Sequence, residues 1–181
     1  GTLLLHARAL HHLAVPENAE QLLTRVLHQE PDHVEAKGML ALLLHERDDN
    51  GSALRLAHDV LAQDPVQLDA LLACGAVHFE QGNIDAARTT WRHTVAAHPT
   101  CGRAWSGLAQ VEFHTLEFAD AEAHLKIAVN YMPDHIGTWH LLAWVYILRG
   151  DSALAREALD KSYALDRTFG DQGLGGPAAV G

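Results

Sequence analysis

The chain is short of cations. Thirteen lysines and arginines stand against 23 aspartates and glutamates, a formal charge of −10 at neutral pH. A duplex-binding surface needs clustered cations to displace counterions, so nucleic acid is excluded as the main partner. Long apolar runs are missing too. None approaches the roughly 20 residues that span a bilayer, so no direct membrane insertion is expected. Only two cysteines occur, too few for a disulfide framework and silent about redox compartment. There is no nucleophile elbow, no phosphate-cradling glycine loop and no zinc-protease helix motif. Neither catalysis nor a cofactor is therefore expected. What is present is 181 residues, 48% hydrophobic and 20% charged, ample for a folded core.

The organising feature is a period. Prolines stand at Pro31, Pro65, Pro99 and Pro133, each 34 residues after the last. Twelve residues before each proline is an alanine: Ala19, Ala53, Ala87 and Ala121, with Ala155 continuing the register. A second small-residue column holds Ala7, Ala41, Gly75, Ala109 and Ala143. Small residues at fixed places mark close helix approach, because anything larger than a methyl group would hold two packed helices apart. Apolar residues recur around them at helical spacing. Leu108, Val111 and Leu116 read as one helix face, and Leu142, Val145, Tyr146 and Leu148 as another. Turn formers separate the runs at residues 48–51, Gly82-Asn83 and Gly150-Asp151. Each unit is helix, tight turn, helix and a proline-marked turn. A period in this range signals stacked supersecondary units.

On these residues the chain resembles the tetratricopeptide repeat family, whose first helix carries Trp, Leu-Gly and Tyr and whose second carries Ala, an aromatic and a closing Pro. The third unit runs Leu71, Cys74-Gly75, His78, Gly82, Ala87, Trp91, Pro99. The fourth gives Trp105, Leu108-Ala109, Ala121, Leu125, Pro133, and the fifth Trp139, Leu142-Ala143, Tyr146, Gly150, Ala155, Leu159. The resemblance implies an all-α, right-handed α-α solenoid of five helix-turn-helix repeats without sheet. One repeat domain is expected over 1–169, with repeats at about 1–33, 34–67, 68–101, 102–135 and 136–169. Residues 170–181 are either a glycine-rich tail or the start of a truncated capping helix. Gly1 reads as a processing boundary with more protein upstream. Arginine outnumbers lysine 10 to 3, which suits a GC-rich bacterial genome.

Some positions depart from the family. Arg167 replaces a fifth proline, and Lys37 a bulky residue. His78 and Glu112 stand where unit five has Tyr146. One repeat apart, those two either pair across neighbouring units or each find water. Cys74 is expected in the core and Cys101 in a turn. The fourteen histidines contain no run with metal-ligand spacing. Only His11, His12 and His45 gather by the repeat register, and there histidine also serves as a neutral, amphipathic surface residue. No metal site is expected.

The resemblance further implies a ligand groove lined by the first helices. Carried over position by position, it places Arg8 and His11 in unit one and Leu42, His45 and Glu46 in unit two. Unit three contributes Leu72, Ala76, Phe79 and Glu80, unit four Gln110, Phe113 and His114, and unit five His140, Trp144 and Ile147. On sequence alone this is the non-core face of each helix, ordinarily charged. Phe79, Phe113 and Trp144 instead make an aromatic row with Leu42, Leu72 and Ile147, which points to a partner surface or to cover by the solenoid itself. Family members that clamp acidic tails use Lys, Arg and Asn there. This groove has Glu46 and Glu80, so no chaperone-type carboxylate clamp is expected, and the partner should be an apolar or mildly basic protein segment. The functional expectation is a non-catalytic scaffold or adaptor, with a self-assembly segment or the regulatory module of an enzyme as alternatives. A soluble chain, cytoplasmic rather than periplasmic, completes the reading.

Overall fold

A computed structural model of the protein describes residues 3–5, 7, 9 and 16–173, with side-chain surroundings from residue 18 to residue 167 of the longer stretch. Among the described residues every regular element is helical. Residues 3–5, 7 and 9 are helical, and nine further helices follow among the described residues. These are α1 (Pro16–Gln29), α2 (Val34–Glu46), α3 (Asn50–Leu61), α4 (Leu68–Glu80), α5 (Ile84–Ala97), α6 (Gly102–His114), α7 (Phe118–Tyr131), α8 (Ile136–Arg149) and α9 (Ser152–Gly173). The last helix runs four residues past position 169, through the first glycines of the tail. No described helix is long and apolar enough to cross a membrane.

The chain forms two compact units, 1–99 and 100–181. In the first, α2 pairs with α3 and α4 with α5, while α4 also packs on α2 and α3. In the second, α6 pairs with α7 and α8 with α9, and α8 covers α7. The alanine column is the reason these helices come so close. Ala19, Ala53, Ala87, Ala121 and Ala155 are all buried, as are Ala7, Ala41, Gly75, Ala109 and Ala143 of the first helices. In the second unit Ala109, Ala121, Leu125, Leu142, Ala143 and Val145 share one core. Cys74 is buried in the first unit, and loss of hydration pushes its thiol up to about 11, an inert sulfur.

The hairpin turn has its own 34-residue column. Asp48, Gly82, Leu116 and Gly150 all adopt left-handed backbone, with φ of 63°, 74°, 65° and 85°. Each reverses the chain so that the next N–H bonds a carbonyl five residues back: Asp49 to Leu44, Asn83 to His78, Glu117 to Glu112 and Asp151 to Tyr146, at 2.8–2.9 Å. Leu116 is therefore not part of the α6 apolar face that its spacing suggested. It lies in the turn, 71% exposed. The apolar spacing from Leu108 runs on past the helix end, which falls at His114. Left-handed backbone costs a leucine about 1–2 kcal/mol through the clash of Cβ with the carbonyl. Leu116→Gly should therefore stabilise the protein by about 1 kcal/mol. A thermal melt should rise by about 2–4 °C. No rise would mean that the leucine side chain gains that energy back locally.

Candidate functional site

Helix starts and turns position the first helices. Asp49 caps α3 by accepting the Ser52 N–H at 3.1 Å, and that bond holds its carboxyl below the usual range. Gln67 caps α4 through the Ala70 N–H at 2.7 Å, and its side chain lies across Gly38. A Cβ at residue 38 would collide with the Gln67 carboxamide, so the glycine makes room for the cap of the next repeat. His135 caps α8: its Nδ1 accepts the Thr138 N–H at 3.1 Å. Burial, then Arg103, depresses its basicity and keeps that nitrogen free to accept.

The residues expected in a groove fall into three groups. Arg8 and His11, with His12, lie outside the described residues. Leu42 and Leu72 are buried, 3% and 4% exposed, so packing accounts for their apolar character and they offer a ligand little surface. The remainder reach solvent to different degrees. Glu46, Glu80, Gln110, His114 and His140 are exposed, and His45, Ala76, Phe79 and Phe113 half-buried. Trp144 and Ile147 on α8 are 56% and 44% exposed, large apolar side chains that the core of their unit does not need.

In the first unit Glu80 is anchored. Asn50 Nδ2 donates to Glu80 Oε2 at 2.9 Å, and the His45 Nδ1–H is placed to donate to Asn50 Oδ1 at 3.0 Å. His45 Nδ1 is also 3.7 Å from Glu80, so a protonated His45 pairs with that carboxylate. Asn50 is on a second helix and was not legible as a site residue, since the repeat register looks only along first helices. In the second unit Phe113 meets Phe118 edge-on at 5.8 Å, and His140 meets Tyr163 at 6.4 Å. Phe113 also packs on the core of its unit and stays half-buried.

The departures from the repeat also find places. Lys37 bonds Asp32 at 3.0 Å. His78 and Glu112 belong to different compact units. Glu112 is buried and its Oε2 sits 2.7 Å from His124 Nδ1, a partner on the second helix of the same repeat. His78 stands 6.3 Å from His58, ring to ring, and its Nδ1 is buried with no hydrogen-bond partner. Burial, then the charge of His58, lowers its basicity.

Antiparallel helical hairpins at a fixed period, with a methyl group or less at every close approach, define a helical-repeat protein. Family models described as Tetratricopeptide repeat match residues 4–67, 44–111 and 137–161. The chain belongs to the tetratricopeptide repeat family, and as such it is a protein-interaction scaffold. Among solved structures it is similar to TTC0263, a thermophilic protein of this family from Thermus thermophilus. The two are 20% identical over 91% of this chain and 90% of that one, with a TM-score of 0.75. It is also similar to MamA from Desulfovibrio magneticus RS-1, 21% identical over 92% and 94% of the two chains, with a TM-score of 0.67. No curated protein matches it.

Proposed function

We propose that this chain binds a segment of another protein along the first helices of its repeats, without catalysing a reaction. The observation that carries the reading is the exposure of Trp144 and Ile147 on α8. A wet helix face has no use for a large indole unless something covers it, and buried aromatic anchors dominate the energy of protein interfaces. The exposed acids Glu46 and Glu80 of the first unit set the sign of the ligand. It is apolar with a few basic residues, either an extended segment or an amphipathic helix. The same two glutamates argue against a carboxylate clamp for acidic tails. Each compact unit presents its own first helices.

Pull-down with the protein and with a Phe79→Ala, Phe113→Ala, Trp144→Ala variant tests this. Partners captured by the parent should be lost from the variant at unchanged helical content. Equal capture by both would discard the groove. Removal of such anchors weakens binding by about 2 kcal/mol or more each, roughly thirtyfold per residue.

A further inference from the structure

Several histidines of this chain have partners fixed by the fold. His45 bonds Asn50, His98 the Val66 carbonyl, His124 Glu112 and His135 Thr138. Three histidines of the first unit differ. His58 on α3, His78 on α4 and His93 on α5 have no hydrogen-bond or ion-pair partner among the described residues. All three border one cleft of about 270 Å³. His58 and His78 stand 6.3 Å apart, ring to ring, so one small group can reach both. The Nδ1 of His78 is buried there with nothing to bond, an expensive state for a polar atom.

The rest of the wall narrows what could answer them. Among the described residues it holds no aspartate, glutamate, lysine or arginine, in a chain whose net charge is −10. The Thr89 and Thr90 hydroxyls already donate to the Asp85 and Ala86 carbonyls, at 2.8 and 2.9 Å. The Cys74 thiol, pushed up to about 11, is uncharged. The imidazoles are therefore the strong donors that this cleft offers, and Leu61, Pro65, Leu71 and Cys74 supply its apolar surface. Burial, then the charge of His58, lowers the basicity of His78. An anion placed between the two rings offsets both effects.

We propose that this cleft binds a small organic carboxylate, with its acid group between His58 and His78 and its hydrocarbon part on Leu61, Leu71 and Cys74. Imidazole N–H groups donate to carboxylate oxygens in either protonation state, and a protonated ring adds charge to the bond. The exposed His93 adds a third donor. The volume lies at the small end of small-molecule sites and is far too little for a helix. No residue of its wall belongs to the groove proposed for a protein segment, so the two sites are independent. Binding takes up protons, because the bound anion raises the basicity of the rings. Affinity should therefore increase as pH falls through 6.5, the ordinary histidine value. The gain ends where the carboxylate itself takes a proton.

Titration of the full chain with sodium benzoate in the presence of EDTA, followed by the histidine ring resonances in NMR, tests the proposal. The His58 and His78 signals should move to saturation and titrate at higher pH when benzoate is bound. Binding should be about tenfold tighter at about pH 5.5 than at about pH 7.5. At the lower pH benzyl alcohol, which keeps the ring and lacks the charge, should bind about tenfold more weakly, and so should inorganic phosphate, which lacks the apolar part. A His58→Gln, His78→Gln protein should lose the site at unchanged helical content. His58→Gln alone, at an exposed position, should weaken binding about tenfold and serves if the double variant fails to fold. The Phe79, Phe113, Trp144 variant should bind benzoate as the parent does, which separates this cleft from the groove. Equal affinity for benzoate and either control overturns the proposal, as does an affinity that neither pH nor His58→Gln moves. Ring shifts that appear only without EDTA also overturn it, since a metal ion would then be the occupant.

Discussion

Gly75→Ala lowers the stability of this protein by about 2 kcal/mol, an overpacking cost in a filled core. A Cβ at residue 75 would meet the Trp91 indole at 2.6–2.8 Å, well inside contact distance, and both residues are buried. The other repeats carry alanine at this position, and the reason lies opposite it. Ala41 pairs by register with Ala57, Ala109 with Leu125 and Ala143 with Leu159, whereas Gly75 pairs with Trp91. The third repeat has exchanged a methyl group on one helix for a large ring on the other. Trp91→Leu should accordingly rescue Gly75→Ala, giving the pair found in repeats four and five. The indole N–H has no hydrogen-bond partner, so its removal orphans no acceptor. A double-mutant cycle by urea unfolding reads the coupling. Additive losses, with no rescue, would show that the ring and the glycine are not matched to each other.

The second large effect lies at Glu112. A carboxylate buried to this degree depends on its hydrogen bonds. His124 supplies one at 2.7 Å and is itself held by the Trp105 ring, 5.2 Å away. His124→Ala removes that bond and opens a gap beside the indole. The expected cost is about 2–3 kcal/mol, characteristic of a charge-assisted hydrogen bond in a buried place. Glu112→Gln, which keeps the shape and drops the charge, should cost less. In the Glu112→Gln background, His124→Ala should lose much of its effect. Chemical unfolding of the four proteins decides the matter: if His124→Ala costs the same in that background as beside the native glutamate, the two side chains do not support each other.

The fold was legible because its cause is local and repeated. An alanine every 34 residues states that two helices touch there, and every member of both small-residue columns is buried. The hairpin turns were legible where turn formers mark them, at residues 48–51, Gly82 and Gly150, and illegible at Leu116, which adopts the same backbone without one. Side-chain type signals a left-handed turn only when the chain has chosen the least strained residue for it. The candidate face was less legible. Periodicity separates core from non-core but does not measure burial, so Leu42 and Leu72 looked as available as Trp144 until packing covered them. Partners that cross from a first helix to a second, Asn50 to Glu80 and His124 to Glu112, lie off the repeat register altogether. A spacing rule finds what recurs, and those pairs occur once.

The buried alanine column also governs how this gene can change in length. One residue inserted within a second helix turns everything beyond it by about 100°, carrying the methyl contact off its neighbour and a bulkier side chain into its place. The same insertion in a proline-marked turn disturbs no contact of the column, and an insertion of one whole period restores it. Changes of length that keep the column therefore come as whole repeats or fall in the proline-marked turns.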